Sequence, residues 1–123
     1  MPKGRTHNLG MTTEQFYARV REILNASHPD ARLSFMIRKH EGGPYYPITE
    51  SGGRLLFDNR VPVAAEPARD WHLTVFLTPE NKFSAQACGS VAVHPKAVQT
   101  QGPDFADRIG RQLAGMVSER RNG

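Results

Sequence analysis

WHLTVFLT (Trp71–Thr78), PEN (Pro79–Asn81) and KFSAQACG (Lys82–Gly89) form the stretch whose reading decides the fold. Trp71, Leu73, Val75 and Leu77 alternate with His72, Thr74, Phe76 and Thr78, the period of two that marks a strand buried on one face. Pro79 pre-sets the first central position of a type I turn, and Asn81 tolerates the positive φ of the residue that follows. A three-residue loop of this kind pairs Thr78 with Lys82 and fixes the register. Leu77 then faces Phe83, Val75 faces Ala85, Leu73 faces Ala87 and Trp71 faces Gly89. The other face pairs Phe76 with Ser84, Thr74 with Gln86 and His72 with Cys88. One face is apolar and the other mainly polar, the pattern of an antiparallel sheet covered on one side. A one-residue slip would destroy that separation.

Upstream of this hairpin, three further strands are predicted. Arg32 to His40 alternates Leu33, Phe35 and Ile37 against Ser34, Met36 and Arg38. Gly42-Gly43-Pro44 turns the chain into Tyr45–Thr49, read as a short edge strand because Pro44 and Pro47 cannot donate to a ladder. Ser51-Gly52-Gly53 turns it again into Arg54–Asp58. Asn59 to Asp70 contains Pro62 and Pro67 and reads as irregular loop.

Two amphipathic helices bracket the strands. Thr12 and Gln15 make a capping box, with Met11 and Phe16 placed for a hydrophobic staple. Phe16, Val20, Ile23 and Leu24 then form one apolar stripe, which predicts a helix over residues 13 to 26. The second helix starts near Gly102-Pro103-Asp104, where proline and an acidic side chain suit the first turn. Its stripe is Phe105, Ile109, Leu113, Met116 and Val117. Ala106, Gly110 and Ala114 run beside it and would let the helix sit close to the sheet. The expected fold is therefore α+β: an antiparallel sheet of four to five strands with an N-terminal and a C-terminal helix on one face.

The bulk properties bound the function. A chain of 123 residues fits one domain, divided into a basic tail at 1–11, a core at 12–117 and a basic tail at 118–123. Of the net charge of +4, Lys3 and Arg5 carry two units and Glu119, Arg120 and Arg121 one more, leaving the core close to neutral. No apolar run approaches the ~20 residues of a membrane span, and no apolar stretch follows the basic start to make a secretory signal. Cys88 is the single cysteine, so no intrachain disulfide can form and a cytoplasmic location is expected.

Few residues carry a chemical signature. In the predicted register His72 lies beside Cys88, and an imidazole next to a thiol can generate a thiolate nucleophile. That makes these two the candidates for an enzyme reading, without the helix N-terminus or oxyanion hole such sites normally use. The five histidines show no ligand spacing, so neither metal nor cofactor is expected. Gly42-Gly43 and Gly52-Gly53 lack the strand–loop–helix setting of a phosphate loop. His72-Leu73-Thr74 resembles one half of the paired signature of two-histidine phosphodiesterases, but no second copy follows. The helix–sheet–helix order resembles double-stranded RNA-binding domains in topology only. Their last helix begins lysine-rich, whereas Asp104 and Asp107 make this one acidic.

Tyr45 and Tyr46 with Arg38, Lys39 and Arg54 are the candidate partner-binding residues. Aromatic and basic side chains so interleaved can stack bases and hold phosphates, and Tyr with Arg is also the composition of protein-binding hot spots. The sequence thus predicts a small non-catalytic binding module, an inhibitor, adaptor or accessory factor. It would dock a protein or nucleoprotein partner through an open sheet face or an edge strand. A nucleic-acid-binding domain is the alternative, and a Cys/His-dependent enzyme the third reading.

Overall fold

Helix α1 (Thr13–Ser27) begins where the capping box places it: the Gln15 backbone N–H donates to Thr12 Oγ1 at 3.1 Å, and the Thr12 N–H donates to Gln15 Oε1 at 2.9 Å. In this computed structural model, which describes residues 11–57, 61–63, 70–77 and 86–122, the chain continues through β1 (Ala31–Arg38), β2 (Tyr45–Ser51), β3 (Arg54–Phe57) and the two-residue β4 (Val61–Pro62). It ends with β5 (Asp70–Leu77), β6 (Gln86–Val93), α2 (Pro95–Gln101) and α3 (Pro103–Asn122). The predicted α+β class holds. All strand pairs are antiparallel, in the order β4-β3-β2-β1-β5-β6, with α1 and α3 on one face.

Alternation decides which side of the sheet is buried. Trp71, Leu73 and Val75 of β5 and Phe35 and Ile37 of β1 are enclosed together with Phe16, Val20 and Leu24 of α1 and Ile109, Leu113 and Val117 of α3. The centre is aromatic: Trp71 lies 5.3 Å from Phe35 and 5.8 Å from Phe16, ring centre to ring centre, and Phe16 stacks on Phe105 at 6.0 Å. Such pairs add to the burial of large apolar area. Gly110 explains how the two helices fit. A Cβ there would stand 2.8 Å from Ile23 Cβ, so the small-residue row of α3 admits α1 rather than the sheet, contrary to the sequence expectation.

Three further differences have physical causes. First, β2 is not an outer strand by order. Its first half, Tyr45–Pro47, pairs with β1, and its second half, Ile48–Ser51, pairs with β3. Pro47 sits at the hand-over, where its missing N–H is not needed by two neighbours at once. Beyond the hand-over, the Tyr17 hydroxyl donates to the Leu33 carbonyl at 3.3 Å, so α1 reaches the part of β1 that β2 leaves. The second half closes on β3 through Gly52 and Gly53, whose φ values of 58° and 80° suit a two-residue hairpin turn.

Second, β6 is displaced by four residues from the predicted hairpin register. Leu73 pairs with Val91 and Trp71 with Val93, rather than with Ala87 and Gly89. Valines opposite the buried face cover more apolar surface than alanine and glycine would, and this outweighs the turn preference of Pro79–Asn81. From Trp71 to Val75 the displacement is even, so the faces are preserved there, and beyond Val75 a register shift reduces it to three and turns Cys88 to the helix side. The predicted turn 79–81 and its predicted flanking strand residues 78 and 82–85 lie outside the described residues, as do positions 1–10, 58–60, 64–69 and 123.

Third, α3 runs on through Asn122, where a tail from residue 118 was expected. Arg121 bonds the carboxylate of Asp30, and its guanidinium lies 3.1 Å from His28 Nδ1. His28 Nε2 lies 3.0 Å from Ser118 Oγ. The end of α3 is thereby tied to the end of α1. The unpredicted α2 begins at Pro95, capped by His94, whose Nδ1 accepts the Lys96 N–H at 3.1 Å. No helix among the described residues is long and apolar enough to cross a membrane.

Candidate functional site

Strand parity splits the candidate binding residues between the two faces of the sheet. Ile37 is fully buried on the helix side, and its β2 partner Tyr46 packs against the same core. Tyr46 contacts Phe57 with ring centres 5.2 Å apart, and Lys39 Nζ stands 4.4 Å from the centre of the Phe57 ring and 5.7 Å from that of Tyr46. Tyr46 is therefore half-buried structure rather than an open platform. Arg54 is exposed but belongs to the far end of the β2–β3 hairpin, opposite Ser51. At about 3.3 Å per residue that is roughly 20 Å along β2 from Tyr45.

Arg38 and Tyr45 remain together, paired across β1 and β2 on the face that carries no helix. Two residues that sequence reading did not group with them complete a cluster. Asp70, at the start of β5, accepts from Arg38 Nη2 at 2.6 Å and from the Tyr45 hydroxyl at 3.0 Å. Arg38 lies over the Tyr45 ring at 5.2 Å, and His72 meets that ring at 5.4 Å between centres. Arg38 Nε is enclosed and has no hydrogen-bond partner among the described residues. The grouping was accessible from parity, because Asp70 and His72 share the face of β5 opposite Trp71 and Leu73.

The electrostatics follow from these contacts. The Asp70 hydrogen bond and charge hold the Arg38 guanidinium above its ordinary value, against a smaller opposing effect of burial. Burial comes first in raising the Tyr45 phenol, and the hydrogen bond and charge of Asp70 add to it, opposed by Arg38. Tyr45 is thus a neutral donor at physiological pH. The cluster as a whole pairs one cation with one anion and displays an aromatic ring, a phenol and an imidazole. Beyond it the same face carries Met36, Ser34, Thr74 and Phe76, all partly exposed, then Ser90 and Ala92, which are exposed.

The His72–Cys88 pair does not form. His72 pairs with Ala92, and Val75 with Gly89 while Phe76 pairs with Ala87, so Cys88 is the extra residue of a bulge. Cys88 packs on the helix side and, with Met116, Glu119 and Arg120, lines a shallow hollow. Gly89 shows how near α3 comes, since a Cβ there would meet Met116 Sδ at 2.4 Å. Imidazole and thiol stand on opposite faces of the sheet, and the proposed nucleophile loses its base. Among the described residues no group of three His, Cys, Asp or Glu side chains is placed to hold a metal. No family model, curated protein or solved structure matches the chain.

Proposed function

We propose that this protein is a non-catalytic binding module that docks a protein partner on the helix-free face of its sheet. The observation that carries the reading is the Arg38–Asp70–Tyr45–His72 cluster, preassembled beside Met36 and Phe76 on that face. Side chains held in place before binding lose little freedom on binding. Tyrosine and arginine flanked by apolar surface form the composition that supplies most interface energy.

Charge pairing favours a protein over a nucleic acid. Arg38 is matched by Asp70, Arg19 by Asp107, Arg21 by Glu50 and Arg121 by Asp30. A phosphate backbone would have to displace these carboxylates, and nucleic-acid affinity rests mainly on unmatched cations.

A photo-crosslinking side chain at Thr74, in the middle of the open face, tests the reading, with the same side chain at exposed Gln99 of α2 as control. The expected result is a discrete crosslinked protein at Thr74, absent at Gln99 and weakened by Tyr45→Ala. Purified, nuclease-treated protein should leave labelled DNA and RNA unbound at low salt. Micromolar nucleic-acid binding that weakens steeply as salt rises would replace the protein reading with the nucleic-acid one.

A further inference from the structure

The two edges of the sheet are protected very differently. On one side β4 is two residues long and contains Pro62, both devices that blunt an edge against further pairing. On the other side β6 is eight residues long, QACGSVAV, with neither a proline nor a charged side chain. Its pairing among the described residues is on one side only, with β5. From Gly89 to Val93 it pairs regularly, the bulge at Cys88 lying behind that run. An edge of this length without charge is a template for another strand.

We infer that the β6 edge pairs with β6 of a second copy of this chain, antiparallel across a two-fold axis. Two features favour a second copy over a foreign strand. An uncharged strand can meet itself in any register without like charges falling opposite one another. Among the described residues, the hollow at Cys88 is lined by one charge of each sign, Glu119 and Arg120, so the surface there that a two-fold axis would duplicate is balanced.

The axis has a definite consequence. Antiparallel pairing of identical strands places it perpendicular to the sheet, so both helix layers fall on one side. Two six-stranded sheets become one of twelve strands, and the two helix-free faces become one continuous surface. The inference is independent of what that surface binds.

Opposed residues must lie on the same face, so of Ser90 and Ala92, both exposed on the open side, Ser90 meets Ala92 of the other copy in a register centred on Val91 and meets itself in one centred on Ser90. The test uses the full chain carrying Ser90→Lys with Ala92→Lys, or Ser90→Glu with Ala92→Glu, alongside the unaltered protein. Mass is measured by sedimentation equilibrium up to roughly 100 µM, a range that detects even weak pairing. The expected result is a dimer that each charged variant weakens at least about fivefold, from like charges set opposite each other. Mixing the two variants restores it, because opposite charges then face across the axis. Circular dichroism confirms that each variant is folded. Hydrogen exchange of the β6 amides supplies a readout that needs no variant, with protection rising as protein concentration rises.

An unaltered chain that stays monomeric throughout would overturn the inference. So would a dimer indifferent to both charge pairs, or β6 amides protected equally at all concentrations, which would assign the edge to this chain's own residues.

Discussion

Leu73 and Thr74 are neighbours on β5, yet they belong to different kinds of surface. Leu73 is fully buried between strand and helices, held by apolar contact on every side. Thr74 is half-exposed, between Phe76 and the His72–Tyr45–Asp70–Arg38 cluster on a face that no helix covers. The same alternation of side chains builds both. The helix side spends its composition on packing and explains why the chain folds. The open side is not needed for that packing, yet Arg38, Tyr45 and Asp70 on it are held together by hydrogen bonds. Order that folding does not require is what a binding surface needs.

The largest contrast is expected from a pair of truncations on one strand. Leu73→Ala should cost about 2–5 kcal/mol in denaturant unfolding, whereas Thr74→Ala should stay within about 0.5 kcal/mol. Comparable losses at the two positions would dissolve the distinction between the faces.

Next in size is Gly110→Ala at the α1–α3 crossing. Alanine gains about 1 kcal/mol in helix propensity over glycine, but its Cβ would press on Ile23 at 2.8 Å, and overpacking costs about 1–3 kcal/mol. The net effect should be destabilising, read as a lowered melting temperature. The same change at Gly115, where nothing stands within 4 Å of a Cβ, should raise it.

On the open face, Asp70→Asn should barely move the melting temperature while weakening crosslinking from Thr74. It should also let Tyr45 ionise at lower pH, because the carboxylate helps hold the phenol neutral. Spectrophotometric titration against Tyr45→Phe isolates that phenol.

The smallest effect concerns acid. Hydrogen bonds from Arg121 and Arg19 hold Asp30 and Asp107 below the ordinary carboxylate range. Their contribution to stability is complete above the ordinary value and fades as pH falls through the lowered ones, below about pH 4. Arg121→Met should lower stability slightly at neutral pH and leave it unchanged in strong acid, so that the acid limb of the stability curve flattens.

Much of this architecture was legible in the residues themselves. Thr12 and Gln15 marked the start of α1, alternation separated the faces of β1 and β5, and the stripe through Ile109, Leu113 and Val117 oriented α3. Register was not legible, because Pro79–Asn81 offered a local turn while the better cover for Leu73 and Trp71, Val91 and Val93, lay farther along the chain. That error alone created the His72–Cys88 pair. The role of Pro47 was hidden for a related reason, since only the hand-over of β2 from β1 to β3 makes a proline harmless there. Of the candidate binding residues, Arg38 and Tyr45 meet at one site. Lys39 and Tyr46 turn to the other side, and Arg54 stands far off. Asp70 escaped notice because its two partners come from strands that only the tertiary fold brings together.

A partner that covers the helix-free face shields it in living cells, and thiol accessibility reads that shielding. In a Cys88→Ser background, single cysteines at Thr74 on the open face and at Gln99 on α2 are labelled with a membrane-permeant maleimide, in cells and after purification. The thiol of Thr74→Cys should react readily in purified protein and be protected in cells, while that of Gln99→Cys should react equally in both. Equal reactivity of position 74 in the two settings would contradict a covered face.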